Sequence, residues 1–373
     1  MNPSPSSTIP PVRSQRAQGR RPIWLQRVLL GLLAIITILP LSGALYQTTA
    51  TEIDKRNHLA PGQMIDVGVY RLHLYCIGEN VTGSPTIILE QGLGGTSAAW
   101  ARVQPEIAKT TRVCAYDRAG MGWSDPGPEP RDAQHIATEL HSLLHNAGIP
   151  GPYVLVGWSF GGLYVRMYAG KYPTEVSGMV LLDSSHHDQW TSTAAGEAQY
   201  ESNAGIYTIA PWLARMGVMR VMGLFQPDPG LPAPQNEALK AFFAATKDWD
   251  AQSAEFLASP ATNDQVRHLG SLDDMPLFVL TATEHGTPPE QEQLWQGWQN
   301  ELALLSTNSV HQIVTGASHA SFWLDPETAK ISVEAVLHVV EAARTGERVQ
   351  PFPPNTRLVS RQSTIRPNTG NGD

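Results

Sequence analysis

The sequence predicts an α/β protein, a mostly parallel eight-stranded sheet with helices on both faces, preceded by one long hydrophobic helix. Three observations predict it. From residue 64 onward, short β-rich runs alternate with helical patterns, the order that yields a helix-covered parallel sheet. The apolar run YVLVG at 153–157 turns through Gly157-Trp158-Ser159-Phe160-Gly161 into a helical pattern. Val28 to Tyr46 is an unbroken uncharged stretch.

The 373 residues are 42% hydrophobic, enough for one large domain. Charged residues make up 16% and the formal net charge is -8. A nucleic-acid surface would need a basic excess on the folded part, so that class is excluded. The bases are unevenly placed: Arg13, Arg16, Arg20, Arg21 and Arg27 precede the hydrophobic run, and no acid appears before Glu52. Residues 1–22 open on a Ser/Pro-rich stretch that cannot build a core and are expected to be disordered.

Residues 23–46 read as a membrane-spanning signal anchor, since roughly 17–25 apolar residues cross a bilayer. Arginines before the run, with Glu52 and Asp54 after it, orient the N-terminus toward the cytoplasm. The competing reading is a cleaved signal peptide, because Ser42-Gly43-Ala44 suits a signal peptidase. The run exceeds the usual apolar region of about 7–15 residues, which favours the anchor. Both readings put the rest of the chain outside the cytoplasm, membrane-tethered in one case and secreted in the other.

Expected strands are Met64–Val67, Tyr70–Tyr75, Thr86–Glu90, Arg112–Tyr116, Tyr153–Gly157, Met179–Asp183, Pro276–Thr281 and Val310–Val314. Between them, Ile136, Leu140, Leu143 and Leu144 line one face of a helix at Ala133–Asn146. Phe160–Tyr172 and Thr328–Ala343 also read as helices. Core segments 60–183 and 275–345 are separated by 184–274, where the alternation breaks. A structureless connection of that length is improbable in a compact domain, so it reads as a helical cap with a Pro-rich bend from Pro227 to Pro234. Residues 346–373, rich in Pro, Arg, Asn and Ser, read as a disordered tail.

The chemistry centres on Ser159. Gly-x-Ser-x-Gly between a strand and a helix is a nucleophile elbow, whose sharp turn requires small neighbours two positions away. The helix that follows aims its N-terminal amides where negative charge develops. A serine hydroxyl is a poor nucleophile until an imidazole takes its proton. His319, on the loop after the last expected strand, is in the right order and place among the 12 histidines.

Over about residues 60–345 the chain resembles the α/β-hydrolase fold superfamily, in its serine-nucleophile branch. Arg112 to Asp125 (RVCAYDRAGMGWSD) resembles the D-x-x-G-x-G-x-S segment of members with an H-G oxyanion loop. Here Gln91 stands where that loop usually has histidine, and Trp158 where histidine commonly precedes the serine. The resemblance implies that Gln91-Gly92-Leu93-Gly94-Gly95 supplies one oxyanion donor, so that the amides of Leu93 and Phe160 form the hole. It offers two positions for the triad acid: Asp183, after the sixth strand, and Glu284, the carboxylate near the usual position after the seventh. Asp183 is preferred. Relatives that dehalogenate haloalkanes or open epoxides carry aspartate at the elbow, so Ser159 favours acyl cleavage.

The implied function is a carboxylic-ester hydrolase with a small apolar ester substrate and no metal or organic cofactor. Alternatives are a cofactor-free haloperoxidase-like enzyme, an amide hydrolase, or a non-catalytic binding protein of the same fold. The resemblance also makes the strands of Cys76 and Cys114 neighbours, so these two cysteines are either bridged or a pair of buried thiols. His141 with His145, and His186-His187-Asp188, have ligand-like spacing but no supporting shell legible in the sequence.

Overall fold

The structure is a computed structural model and describes residues 23–223 and 231–353. The expected disorder of 1–22, the first half of the Pro227–Pro234 bend, and residues 354–373 lie outside the described residues.

Eight strands form one sheet in the order β1-β2-β4-β3-β5-β6-β7-β8. They are β1 (Gln63–Asp66), β2 (Arg71–Ile77), β3 (Thr86–Glu90), β4 (Val113–Tyr116), β5 (Tyr153–Trp158), β6 (Val176–Leu182), β7 (Leu277–Glu284) and β8 (Ser309–Ser318). Only the β1-β2 and β2-β4 pairs are antiparallel. Cys76 and Cys114 face each other across β2 and β4 and are disulfide-bonded.

The helices are α1 (Ile23–Asn57), the short α2 (Gln104–Ile107), α3 (Ala133–Asn146), α4 (Gly161–Lys171), α5 (Ala194–Arg215), α6 (Val218–Met222), α7 (Ala233–Ala244), α8 (Thr246–Leu257), α9 (Ser259–Arg267), α10 (Pro289–Ala303), the short α11 (Ser321–Leu324) and α12 (Pro326–Thr345). The central strands are buried at every position because both faces are covered. Ile88, Leu155 and Leu181 pack under α3 and α4, whereas Ile87, Val156 and Val180 pack under α12. Each such side chain, fully buried, contributes about 1.5–3 kcal/mol. Helix α3 shows how local sequence sets an element. Asp132 caps it by accepting from the His135 amide, and Ile136, Leu140, Leu143 and Leu144 form its buried face.

Two expectations change in extent. The N-terminal helix runs beyond residue 46 to Asn57, because its second half docks on the cap. There Gln47 is buried, donating to the Ala244 carbonyl and accepting from Arg220, which also pairs with Asp54. The tail is not free from residue 346: Arg348 donates to the Thr307 carbonyl, and Val349 and Phe352 are buried beside the sheet, with Phe352 against Phe278. Apolar residues among its prolines supply that contact.

Candidate active site

Ser159 sits where β5 turns into α4, with φ 55°, a left-handed conformation that costs a non-glycine residue about 1–3 kcal/mol. The surroundings hold it there. Its amide donates to the Leu182 carbonyl, and its own carbonyl accepts from Gly162 and Ser185. A Cβ on Gly157 would fall 2.7 Å from the Gly161 carbonyl carbon, and one on Gly161 would fall 2.5 Å from the Glu90 carbonyl oxygen. The glycine spacing is therefore a packing requirement.

Beside the elbow, Gln91 to Gly95 makes a tight turn closed by Gly95 N–H donating to Gly92 O at 3.0 Å. Neither the Leu93 nor the Phe160 amide donates a hydrogen bond within the described residues. The carbonyls of this turn are held by Arg118, whose guanidinium donates to Gln91 O at 2.7 Å and Gly92 O at 2.8 Å. Arg118 also donates to Glu90 at 2.6 Å and, with two nitrogens, to Glu255 of α8 at 2.8 and 2.9 Å. All three side chains are buried. Burial pushes the Glu90 carboxyl up to about 7, against the pull of Arg118 and the Tyr116 hydroxyl.

Asp183 follows β6, with φ 44° and no exposed surface. Its Oδ2 lies 2.5 Å from His319 Nδ1 and 2.8 Å from His285 Nε2. Its Oδ1 accepts from Trp295 Nε1 at 2.9 Å and the Ala282 amide at 3.0 Å. Burial opposes ionisation of Asp183, but hydrogen bonds and charge from both histidines outweigh it and hold the carboxyl well below its usual range. His285 continues the chain of contacts, with Nδ1 2.9 Å from Glu292. Burial disfavours its charged form, yet Asp183 and Glu292 push it up to about 9.

Of the two acid positions, Asp183 reaches His319, and Glu284 stays exposed at the end of β7. The elbow and the histidine loop are tied as well: Trp158 Nε1 donates to the His319 carbonyl at 2.8 Å, with the two rings 4.7 Å apart. Ser159, Phe160 and His319 line one cavity of about 590 Å³. Trp190, Thr193 and Gln199 of the 184–274 segment form one wall, and Leu294, Trp295 and Trp298 of α10 form another. A larger cavity of about 770 Å³ lies at the other ends of β6 and β7, near Val176 and Pro276, away from these groups.

Asp183, His285 and His319 have donor atoms within 4.8 Å of one another, a spacing that a metal could use. Their donors are already committed, since both Asp183 oxygens and both His285 nitrogens are hydrogen-bonded. His186-His187-Asp188 also converges, but Arg267 pairs with Asp188, and burial with the nearby Arg166 charge pushes His187 down to about 4. A metal ion there would meet two guanidinium groups, those of Arg166 and Arg267. His141 is taken by Glu175 at 3.0 Å and stacks on Tyr172.

The sequence reading missed His285, Glu292, Trp295 and Arg118. For α10 the signal was present: Trp295, Trp298 and Leu302 recur at helical spacing.

A family model described as alpha/beta hydrolase fold matches residues 85–326. An uncharacterized protein of Schizosaccharomyces pombe is 26% identical over 313 residues, which are 75% of this chain and 56% of that protein. The uncharacterized protein YqjL of Bacillus subtilis is 26% identical over 248 residues, 66% of this chain and 81% of that one. A probable transporter of Hormonema carpetanum is 32% identical over 315 residues, 76% of this chain. The chain spans only 56% and 43% of the Schizosaccharomyces and Hormonema relatives. Among solved structures, a thermophilic esterase from Thermogutta terrifontis superposes with TM-score 0.56 at 19% identity, covering 74% of this chain and 97% of that one. The epoxide hydrolase CorEH superposes with TM-score 0.58 at 16% identity, covering 75% and 97%. At these identities the likeness is one of fold.

Proposed function

Because the chain belongs to the α/β-hydrolase fold family, we propose that it is a serine hydrolase that cleaves carboxylic esters through an acyl-enzyme. The observation that carries this reading is the hydrogen bond from His319 Nδ1 to buried Asp183, with His319 and Ser159 on one cavity. With Nδ1–H held by the carboxylate, Nε2 is the free lone pair that accepts the Ser159 proton. Ser159 Oγ adds to the ester carbonyl, and the oxyanion is met by the amides of Leu93 and Phe160. His319 returns the proton to the departing alcohol. Water then repeats the sequence on the acyl-serine and releases the acid.

The elbow residue also discriminates between chemistries. Serine opening an epoxide would leave an ether, which water does not hydrolyse under these conditions, whereas an acyl-serine ester turns over. The tryptophans of the cavity wall suit an apolar ester.

α1 serves as a membrane anchor in this proposal, with the catalytic part on the extracytoplasmic side. It is the helix among the described residues long and apolar enough to cross a bilayer. Leu29, Leu33, Ile36 and Leu39 are all exposed along it. An activity-based fluorophosphonate, followed by p-nitrophenyl esters of increasing acyl length, tests the enzymatic reading. Label on Ser159 with ester turnover is the expected result. A protein that neither labels nor cleaves any ester overturns it.

A further inference from the structure

Helix α5 carries an apolar surface on the side that a soluble domain keeps polar. Its inner face is buried: Ala210 and Ala214 have almost no exposed surface, and Tyr207 stacks on Phe256 at 4.4 Å. On the opposite face Ile206, Ile209 and Trp212 recur every third residue, each more than half exposed. Val221 and Met222 of the neighbouring α6 are exposed as well. Contiguous patches of this kind on a folded domain mark a partner.

The ends of α5 indicate which partner. At its C-terminal end, α5 meets α1. A Cβ on Gly43 would fall 2.2 Å from the Met216 carbonyl oxygen, so the two backbones touch there. Gly43 is near the end of the apolar run of α1, the level at which the helix would leave the hydrocarbon. At its N-terminal end, Ala195, Gly196 and Gln199 line the cavity that holds Ser159. The exposed stripe therefore runs from the point where α1 emerges toward the cavity. Its residue types match a bilayer boundary. Trp212 is the aromatic that favours that level, and the Arg215 guanidinium lies 5.3 Å from its ring, beside a polar edge formed by Glu201 and Thr208.

We propose that the outer face of α5 lies in the headgroup–acyl boundary of the bilayer that α1 crosses, bringing the cavity against the membrane surface, where an amphiphilic ester can reach it. The inference rests on the reading of α1 as an anchor. An unpartnered apolar face is thereby covered by the partner that the anchor already supplies. The lipid contact is continuous from α1 to α5.

The test is site-directed spin labelling of the full chain in phosphatidylcholine:phosphatidylglycerol vesicles, comparing collisions with oxygen and with a water-soluble nickel chelate. Cys76 and Cys114 are bridged, so an introduced cysteine is the labelling site. Single variants I206C, I209C and W212C report the cap, I36C reports the anchor, and L304C reports an exposed site at the far end of α10. The expected result is oxygen-dominated collision at 36, 206, 209 and 212, with nickel-dominated collision at 304. Nickel dominance at 206, 209 and 212 with oxygen dominance at 36 overturns the inference and leaves the anchor standing. Nickel dominance at 36 as well removes both. Low collision with either reagent at the three cap sites would place a second copy of the chain there, and also overturns the proposal.

Discussion

His285 and His319 bind the same oxygen of Asp183, at 2.8 and 2.5 Å. One buried carboxylate thus serves two imidazoles from two different loops, and the first of them is held from behind by Glu292. His285 is pushed up to about 9 from an ordinary 6.5, so its extra stabilisation is complete below about pH 6.5 and disappears as pH rises through about 9. His285→Gln keeps a donor for Asp183 but cannot carry the charge. The variant is expected to be less stable by on the order of 1–3 kcal/mol at pH 6 and to approach the parent near pH 10. Thermal unfolding across that range checks it, and a pH-independent gap would refute the charged state of His285.

Asp183→Asn is expected to cost on the order of 10⁴ in turnover, because an amide cannot hold the required His319 tautomer or balance an imidazolium. Glu284→Gln should stay near the parent, since that carboxylate is exposed and the His319 ring is held by Asp183 instead. Turnover of one good ester substrate by both variants decides the matter. The reverse pattern would transfer the role to Glu284.

Ser159→Ala is expected to fold normally and lose about 10⁶ in turnover, leaving roughly 10³–10⁴ over water from oxyanion binding. Alanine fits the left-handed turn no worse than serine. Circular dichroism with ester assays separates misfolding from loss of the nucleophile. Esterase activity near the parental level in a folded variant would be fatal to the assignment.

Cys76 and Cys114 oppose each other in the antiparallel register of β2 and β4. Alkylation without reductant should therefore leave both unmodified, and mass spectrometry reads this directly. Cys76→Ser with Cys114→Ser should lower stability by about 2–4 kcal/mol. Two alkylated cysteines in unreduced protein would contradict the bridge.

The parts of the molecule legible in the sequence were those specified by local pattern. Ala133–Asn146 was legible because Ile136, Leu140, Leu143 and Leu144 recur at the spacing of one helix face. Thr86–Glu90 has an apolar centre, Ile87 to Leu89, and lies between turn residues, and Ser159 was marked by glycines that the backbone itself requires. What stayed hidden depends on distant partners. His285 acquires its role from Asp183, 102 residues away, and Arg118 from Glu255, 137 residues away. Helix α10 was legible only in the spacing of Trp295, Trp298 and Leu302, because the residues between them are mostly glutamines and glutamates behind Pro288 and Pro289.

Arg118 joins the turn beside Ser159 to α8, and it does so in the dry interior. Swinging α8 outward would strand a guanidinium and a carboxylate without partners, a cost of about 3–5 kcal/mol on each opening. Helix α8 is therefore a fixed part of the 184–274 segment, not a moving one. In the proposed reaction, a substrate would meet Trp190 on one side of the cavity and Trp295 on the other. Ester time courses should accordingly show no lag that depends on α8 opening, and Glu255→Gln, which loosens that tie, is the variant in which one would emerge.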